Sequence, residues 1–319
     1  MDSGTEMNLG TKQITNAVTG IPLQSRRITM YIPVHFKFHT SMIPTPDPGL
    51  LAAITRATCE AFRQAEITLP PDVKQAILTA KEHETSEIAR GELANILANL
   101  EMAGALSVPI CQDTGVPVVY LTIPPHVPLN NGIFDAIAEG VRMASREIPL
   151  RPNVVDPLTR ENTGDNTGEG MPAVHVRPGD RLTITVLPKG AGAENMSRIA
   201  MMLPSERGQI PKFVAETMLI AGGKPCPPVI LGVGIGGTFD GAAALAKEAL
   251  LEPIDTMTSY EKELLAAVNA LGIGPMGIGG RTTALAVKVK TAGCHTASLP
   301  VAVNVQCWAC RRATVEVQC

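Results

Sequence analysis

The sequence predicts an α/β fold in which a helical N-terminal segment is followed by mixed α/β layers. Two observations carry that expectation. Apolar residues recur at helical spacing from Leu50 to about Met102, and beyond that point short β-branched runs alternate with Gly/Pro turns and further helical stretches. Strands alternating with helices imply layered packing, with glycines at the strand-to-helix turns. The 319 residues suffice for one large domain or two ordinary ones.

Residues 1–48 differ in texture and end in the breaker IPTPDPG; they read as a low-order leader or extension, with Met30 and Met42 as alternative starts. The body, 49–319, divides into a helical opening, 49–103, and an α/β part, 104–319. In the opening, LLAAITRATCEAFRQAEI sets Leu51, Ile54, Ala57 and Phe62 near one face, so Cys59 belongs to packing. Pro70-Pro71-Asp72 has the form of a helix start, and Ile88, Leu93, Ile96, Leu97 and Leu100 repeat at helical spacing. Strands are expected at VPVVYLTI, AVHV, RLTITVLPKG, PPVILGVGIGG, TTALAVKVKTA and ASLPVAVNVQCW. Helices are expected at NNGIFDAIAEGVRMASRE, SRIAMML, PKFVAETMLIAGG, GAAALAKEALL and YEKELLAAVNAL.

Composition removes several classes of function. Hydrophobic residues make up 45% and aromatics 3%, so the core must be aliphatic. A net charge of −3 offers no electrostatic basis for binding nucleic acid. No run approaches the ~18 apolar residues of a membrane helix. The seven cysteines are odd in number and no secretory leader precedes them, which argues against a disulfide framework and for a reducing, cytoplasmic setting.

Gly232-Val-Gly234-Ile-Gly236-Gly237 fits the dinucleotide pattern G-x-G-x-x-G, with Asp255 near the position of a ribose-binding acid. Gly272-Ile-Gly274-Pro-Met-Gly277 fits it too, so in this Gly-rich chain the match is weak, and a nucleotide-binding oxidoreductase is a distant alternative. A non-catalytic scaffold is another.

SVPICQDTGVPVVYL (107–121) is more informative. Cys111-Gln112-Asp113 interrupts an otherwise strand-like apolar run. An unpaired buried carboxylate costs several kcal/mol or protonates, so either the chain turns there or these residues serve a site. Cys111, Cys226 and Cys307 each stand between an apolar strand and a turn, in PICQDTG, GKPCPPVI and NVQCWACRR. Three distant thiols without paired C-x₂-C spacings do not resemble a zinc ribbon. Iron–sulfur clusters generally take four thiolates; three leave one iron open as a Lewis acid. Cys307-Trp-Ala-Cys310 lies late in the chain after a strand, the wrong context for a thioredoxin-like motif.

Taken together, PICQDTG (109–115), LRPNVVDP around Arg151, NTGDNTG (162–168), PKGAGAEN (188–195), PCPPVILGVGIGGT (225–238), LGIGPMGIGG (271–280) and HTASLPVAVNVQCWACRR (295–312) resemble the α subunit of the class I, iron–sulfur fumarate hydratase and L(+)-tartrate dehydratase family. The resemblance implies α/β layers enclosing a [4Fe-4S] cluster held by Cys111, Cys226 and Cys307. It implies proton transfer by Asp113, support from His295, and substrate contacts from Gln112, Arg151 and a backbone amide at Gly190 or Gly192. It further implies a C4 dicarboxylate substrate, fumarate/(S)-malate first and L(+)-tartrate as the alternative. A separate β subunit would complete the site in an α2β2 assembly. Cys294, Cys310 and Cys319 are not expected as ligands, with Cys310 a substitute for Cys307.

Overall fold

A computed structural model describes residues 47–318. Most of the expected leader, residues 1–46, and Cys319 lie outside the described residues. Asp47 accepts a hydrogen bond from the Gly49 amide and so caps the first helix, α1 (Pro48–Ile67), where Pro48 has no amide proton to leave unpaired. α2 (Pro71–His83) starts at the expected proline, and α3 (Glu87–Leu106) is capped by Ser86 and ends at Ser107 in the left-handed region. After β1 (Val116–Ile123) come α4 (Asn131–Glu147), β2 (Ala173–Pro178), β3 (Thr183–Lys189), the single turn α5 (Ala191–Glu194) and β4 (Arg198–Met202). The chain continues through α6 (Ile210–Ala221), β5 (Val229–Gly237), α7 (Phe239–Ala249), α8 (Ser259–Asn269), β6 (Ala284–Cys294), β7 (Leu299–Gln306) and β8 (Ala313–Glu316).

The strands form two four-stranded mixed sheets, ordered β2-β1-β3-β8 and β4-β7-β5-β6. In the first, β1 pairs parallel with β2 and antiparallel with β3; in the second, β5 pairs parallel with β6 and antiparallel with β7. The two-residue period of β1 divides its side chains between two cores. Val119 and Leu121 pack with Ile54, Phe62 and Ile137 of α1 and α4, whereas Val118 and Tyr120 pack with Val73, Ile77, Leu93 and Leu97 of α2 and α3. A third core lies between the second sheet and α6 and α8, with Val214, Met218, Leu231, Val233, Val303 and Leu264.

One expected element needs correcting. SRIAMML is not helical: Arg198–Met202 is strand β4, antiparallel to β7. Five residues are too few to offset helix nucleation, and Pro204 biases Leu203 to extended backbone, so sheet pairing prevails. The short edge strand β8 was not foreseen; it pairs with β3.

The GVGIGG segment is not a phosphate loop. Gly232 and Gly234 lie within β5, and a Cβ on either would run into the backbone of α7 at Ala246 or Ala242. The glycines serve close helix–sheet packing. Asp255 lines a separate cavity with Pro71 and Gln75, beyond the far end of α7 from that turn.

Candidate active site

The site is built from the loop that joins α3 to β1. Ile110 donates its amide to the Glu66 carbonyl and accepts from Asn99 Nδ2, so the segment is tied to α1 and α3 just before Cys111. The chain then turns at Asp113, whose Oδ1 accepts from the Gly115 amide at 2.9 Å. Gly115 is required: its φ is +74°, and a Cβ would lie 2.6 Å from the Lys189 carbonyl carbon. Asp113 Oδ1 also accepts from Asn153 Nδ2 at 2.9 Å, and its Oδ2 accepts from the Ala191 amide at 2.9 Å. The carboxylate that interrupts the apolar run is thus held by three donors from three segments. Arg151 is held beside it by its amide, which donates to Thr114 Oγ1. Asn153 is fixed in turn by its backbone amide, which donates to Oδ1 of buried Asn166 in the NTGDNTG segment.

PKGAGAEN supplies the opposite wall. Gly190 lies against the Asp113 carboxylate, and Gly192 against the Lys224 carbonyl, two residues before Cys226. Lys189 is buried and spans the two sheets. Its Nζ donates to the Val305 carbonyl of β7 and pairs with Glu194 Oε2 at 3.2 Å. Glu194 also receives Lys247 Nζ and Asn304 Nδ2. Burial pulls the Lys189 ammonium below its ordinary value, against the opposing effect of Glu194. Lys189 and Lys247 hold Glu194 below the usual carboxylate range in spite of its burial. Gln112, Asp113, Arg151, Asn153, Lys189 and Glu194 are among the residues around a cavity of about 460 Å³.

The three expected cysteines converge on this region. Cys111 lies close enough to both Cys226 and Cys307 to raise their thiol pKa values. The Cys226 carbonyl accepts from the Trp308 amide at 3.3 Å, so the PCPP loop rests on the residue after Cys307. Cys226 is exposed at φ +53°, a conformation that turns the loop sharply between Pro225 and Pro227. Burial pushes the Cys307 thiol up to about 11, against the cations Arg311 and Lys189. Although its residue is exposed, partial desolvation of the Cys226 thiol raises it first, then the nearby Cys111 and Asp113. Among the described residues, no three His, Cys, Asp or Glu side chains gather tightly enough to hold a single metal ion.

Cys310 points elsewhere. It is buried in the core beneath α2 and α3, its Sγ 3.9 Å from the Leu250 carbonyl, and both it and Cys307 are free thiols. Cys294 is exposed at the end of β6.

Comparison with known proteins follows the same segments. The family model described as fumarate hydratase (fumerase) matches residues 55–316. The chain belongs to the fumarate hydratase family. It is thereby a hydro-lyase. Among its relatives in this family, the "Putative L(+)-tartrate dehydratase subunit alpha" of Methanocaldococcus jannaschii is 48% identical over 278 residues, 83% of this chain and 98% of that protein. The "L(+)-tartrate dehydratase subunit alpha" of Escherichia coli strain UTI89 is 34% identical, covering 78% of this chain and 86% of its own length. The "Putative fumarate hydratase class I" of Geobacillus stearothermophilus is 38% identical over 78% of this chain but only 52% of its own length. Among the described residues, no helix of this hydratase-family chain is long and apolar enough to cross a membrane.

One residue that the family resemblance placed at the site is not there within this chain. His295 is exposed in the β6–β7 turn and lines a separate cleft with Thr238, Gly241 and Cys294. The eight residues of β7 separate it from Cys307, about 26 Å at the rise of an extended strand. Conversely, Asn153, Lys189, Glu194 and Asn195 line the cavity without having been singled out. Their only signal was residence in the motif strings LRPNVVDP and PKGAGAEN; no periodicity marks them.

Proposed function

We propose that this chain is the α subunit of a [4Fe-4S]-dependent hydro-lyase that adds or removes water on a C4 dicarboxylate, most simply fumarate/(S)-malate, and that a β subunit completes its active site. The observation that carries the proposal is the setting of Asp113. Its carboxylate is held by the Gly115 and Ala191 amides and by Asn153 at the wall of the cavity, two residues after Cys111. The assembly with a β subunit follows the naming of the relatives as subunit alpha, and α2β2 is the simplest form of it.

The donor set fits the cluster. Thiols alone, presented by three separate loops, are the soft ligands that iron–sulfur clusters take. Their spacing excludes a tight single-ion site among the described residues, whereas a four-iron cluster needs ligands set further apart. Cys111, Cys226 and Cys307 would hold it; the thiols of Cys226 and Cys307 are raised, so loading must release protons, with Arg311 and Lys189 offsetting the thiolate charge at Cys307. When bound, the cluster supplies a Lewis-acidic iron that polarises the carbon–oxygen bond of the hydroxyl.

The chain's own residues do the rest. Arg151 offers a guanidinium to a substrate carboxylate in a two-point clamp, and Gln112 adds an amide beside it. A backbone amide at Gly190 or Gly192 would add a further donor to the substrate. Asp113 moves a proton at its carboxylate, in reach of a substrate held between Arg151 and the thiols.

L(+)-tartrate is the second reading, favoured by the 48% identity to the Methanocaldococcus jannaschii relative. Anaerobic reconstitution of the chain with iron, sulfide and its β partner tests both. Expected are the absorption and EPR signals of a cluster, their loss in Cys226→Ser, and dehydration of malate to fumarate. Turnover of L(+)-tartrate to oxaloacetate alone would select the second reading, and a colourless, iron-free protein after reconstitution would refute the proposal.

A further inference from the structure

Behind the Asp113 turn lies a charged pair that the chemistry above does not use. Glu66 in the last turn of α1 and Arg311 in the loop between β7 and β8 have side chains 0% and 1% exposed, and Arg311 Nη1 donates to Glu66 Oε2 at 2.6 Å. Arg311 Nη2 donates onward to the Asp113 carbonyl at 2.7 Å and approaches that of Thr114 at 3.5 Å. The same guanidinium lies near enough to Cys307, Cys111 and Asp113 to feel the charge of each.

A pair this deep is a poor device for stability, because removing both charges from water costs as much as their attraction returns. Nor is it arranged for strength. Contact is made through one oxygen and one nitrogen, and Glu66 Oε1 and Arg311 Nε are left without partners, unlike the two-point fork that such groups favour. What the arrangement achieves is to deliver one N–H to the main chain of the turn that carries Asp113. The turn is thereby tied to α1 on one side and to the Cys307 loop on the other.

We propose that Arg311, held in place by Glu66, is a positioning residue for Asp113: it locks the Cys111–Gly115 turn against the loop after Cys307, so that the carboxylate and the cysteines keep one geometry. The proposal rests on the hydro-lyase reading. It concerns Asp113's orientation, not retention of iron.

The test uses the complete α/β enzyme. The double variant Glu66→Met/Arg311→Met removes the pair without leaving a buried charge unpaired, so folding is retained, but the turn loses its donor. Expected is a fall in kcat of about 10²-fold, the scale of a misplacement near 1 Å, with KM within about twofold and with iron content and melting temperature close to wild type. Arg311→Lys, with a single donor point, should recover part of kcat. A double variant with wild-type kcat overturns the proposal. So does activity lost in strict proportion to iron, because the pair then serves the cysteine loops alone. Should the double variant not fold, Glu66→Gln keeps shape and an acceptor while removing charge; a lowered kcat at full iron content supports the proposal and an unchanged kcat overturns it. Wild-type enzyme that carries iron yet hydrates or dehydrates neither substrate would refute the functional reading instead. In that case the crystal structure of the double variant still decides, by whether the Asp113 turn has shifted.

Discussion

Gly190→Ala probes the close approach on which the Asp113 geometry depends. Gly190 has φ −69° and ψ 142°, a conformation open to alanine, so the backbone gains no strain. The new Cβ would stand 2.9 Å from Asp113 Oδ2. Ordinary contact begins near 3.4 Å, so the carboxylate must retreat by about 0.5 Å. That displacement stretches the 2.9 Å bond from the Ala191 amide to about 3.4 Å, where little of it remains. A hydrogen bond to a charged group contributes about 1.5–3 kcal/mol, which at about 1.4 kcal/mol per factor of ten corresponds to a loss of roughly 10- to 100-fold in kcat. Stability should fall as well, by about 0.5–2.5 kcal/mol, which is the lost hydrogen bond less the roughly 0.4–1 kcal/mol that alanine's smaller unfolded-state entropy returns. Steady-state kinetics on the assembled enzyme, with a thermal melt alongside, separate the two effects. A variant with kcat within about twofold of wild type would refute the reasoning, because Asp113 would then not need its Ala191 contact.

Four further outcomes are expected. Cys307→Ser should abolish iron incorporation on anaerobic reconstitution, whereas Cys310→Ser, whose thiol packs in the core near the Leu250 carbonyl, should retain it; iron and sulfide analysis decides. Gly232→Ala should destabilise the chain by about 1–3 kcal/mol in urea denaturation, because its Cβ meets the Ala246 carbonyl of α7, and isothermal titration of the wild type with NAD should show no binding. Burial raises the Glu66 carboxyl above its ordinary 4.5 despite Arg311. The native state therefore binds the extra proton, stability declines as pH rises from about 4.5 toward neutrality, and Glu66→Gln should flatten that slope in melts recorded across the window. Cys59, pushed up to about 11 by burial and by Glu147, should resist alkylation at pH 8 in the native chain while exposed Cys294 reacts; mass spectrometry of the digested protein reads both.

Legibility followed the strength of local signals. The long helices α1, α3 and α4 and the strands β1, β5 and β7 were readable because their apolar residues keep one period over many positions. β4 was misread because Arg198–Met202 is short and its state is decided by pairing with β7, 97 or more positions along the chain. The glycines of β5 looked like a nucleotide loop because a pattern of residues does not say which element passes over them. At the site, Cys111, Asp113 and Arg151 stood out as chemically odd residues in apolar or turn contexts. Lys189, Asn153 and Glu66 did not, since nothing local distinguishes a lysine that crosses between two sheets, or a glutamate beneath a turn, from a solvated one.

The amino-acid order by itself determined the α/β character, the aliphatic core, the family and the presence of an acid beside a cysteine, because each rests on residue types and near-neighbour spacing. Only the tertiary structure decided that Cys111 lies near Cys226 and Cys307 while Cys310 turns into the core, that His295 lies one strand-length away, and that Glu66 and Arg311, 245 positions apart, meet behind Asp113. The physical reason is common to all three. Which side of a loop a side chain takes, and which distant group it meets, depends on the packing of whole elements against one another.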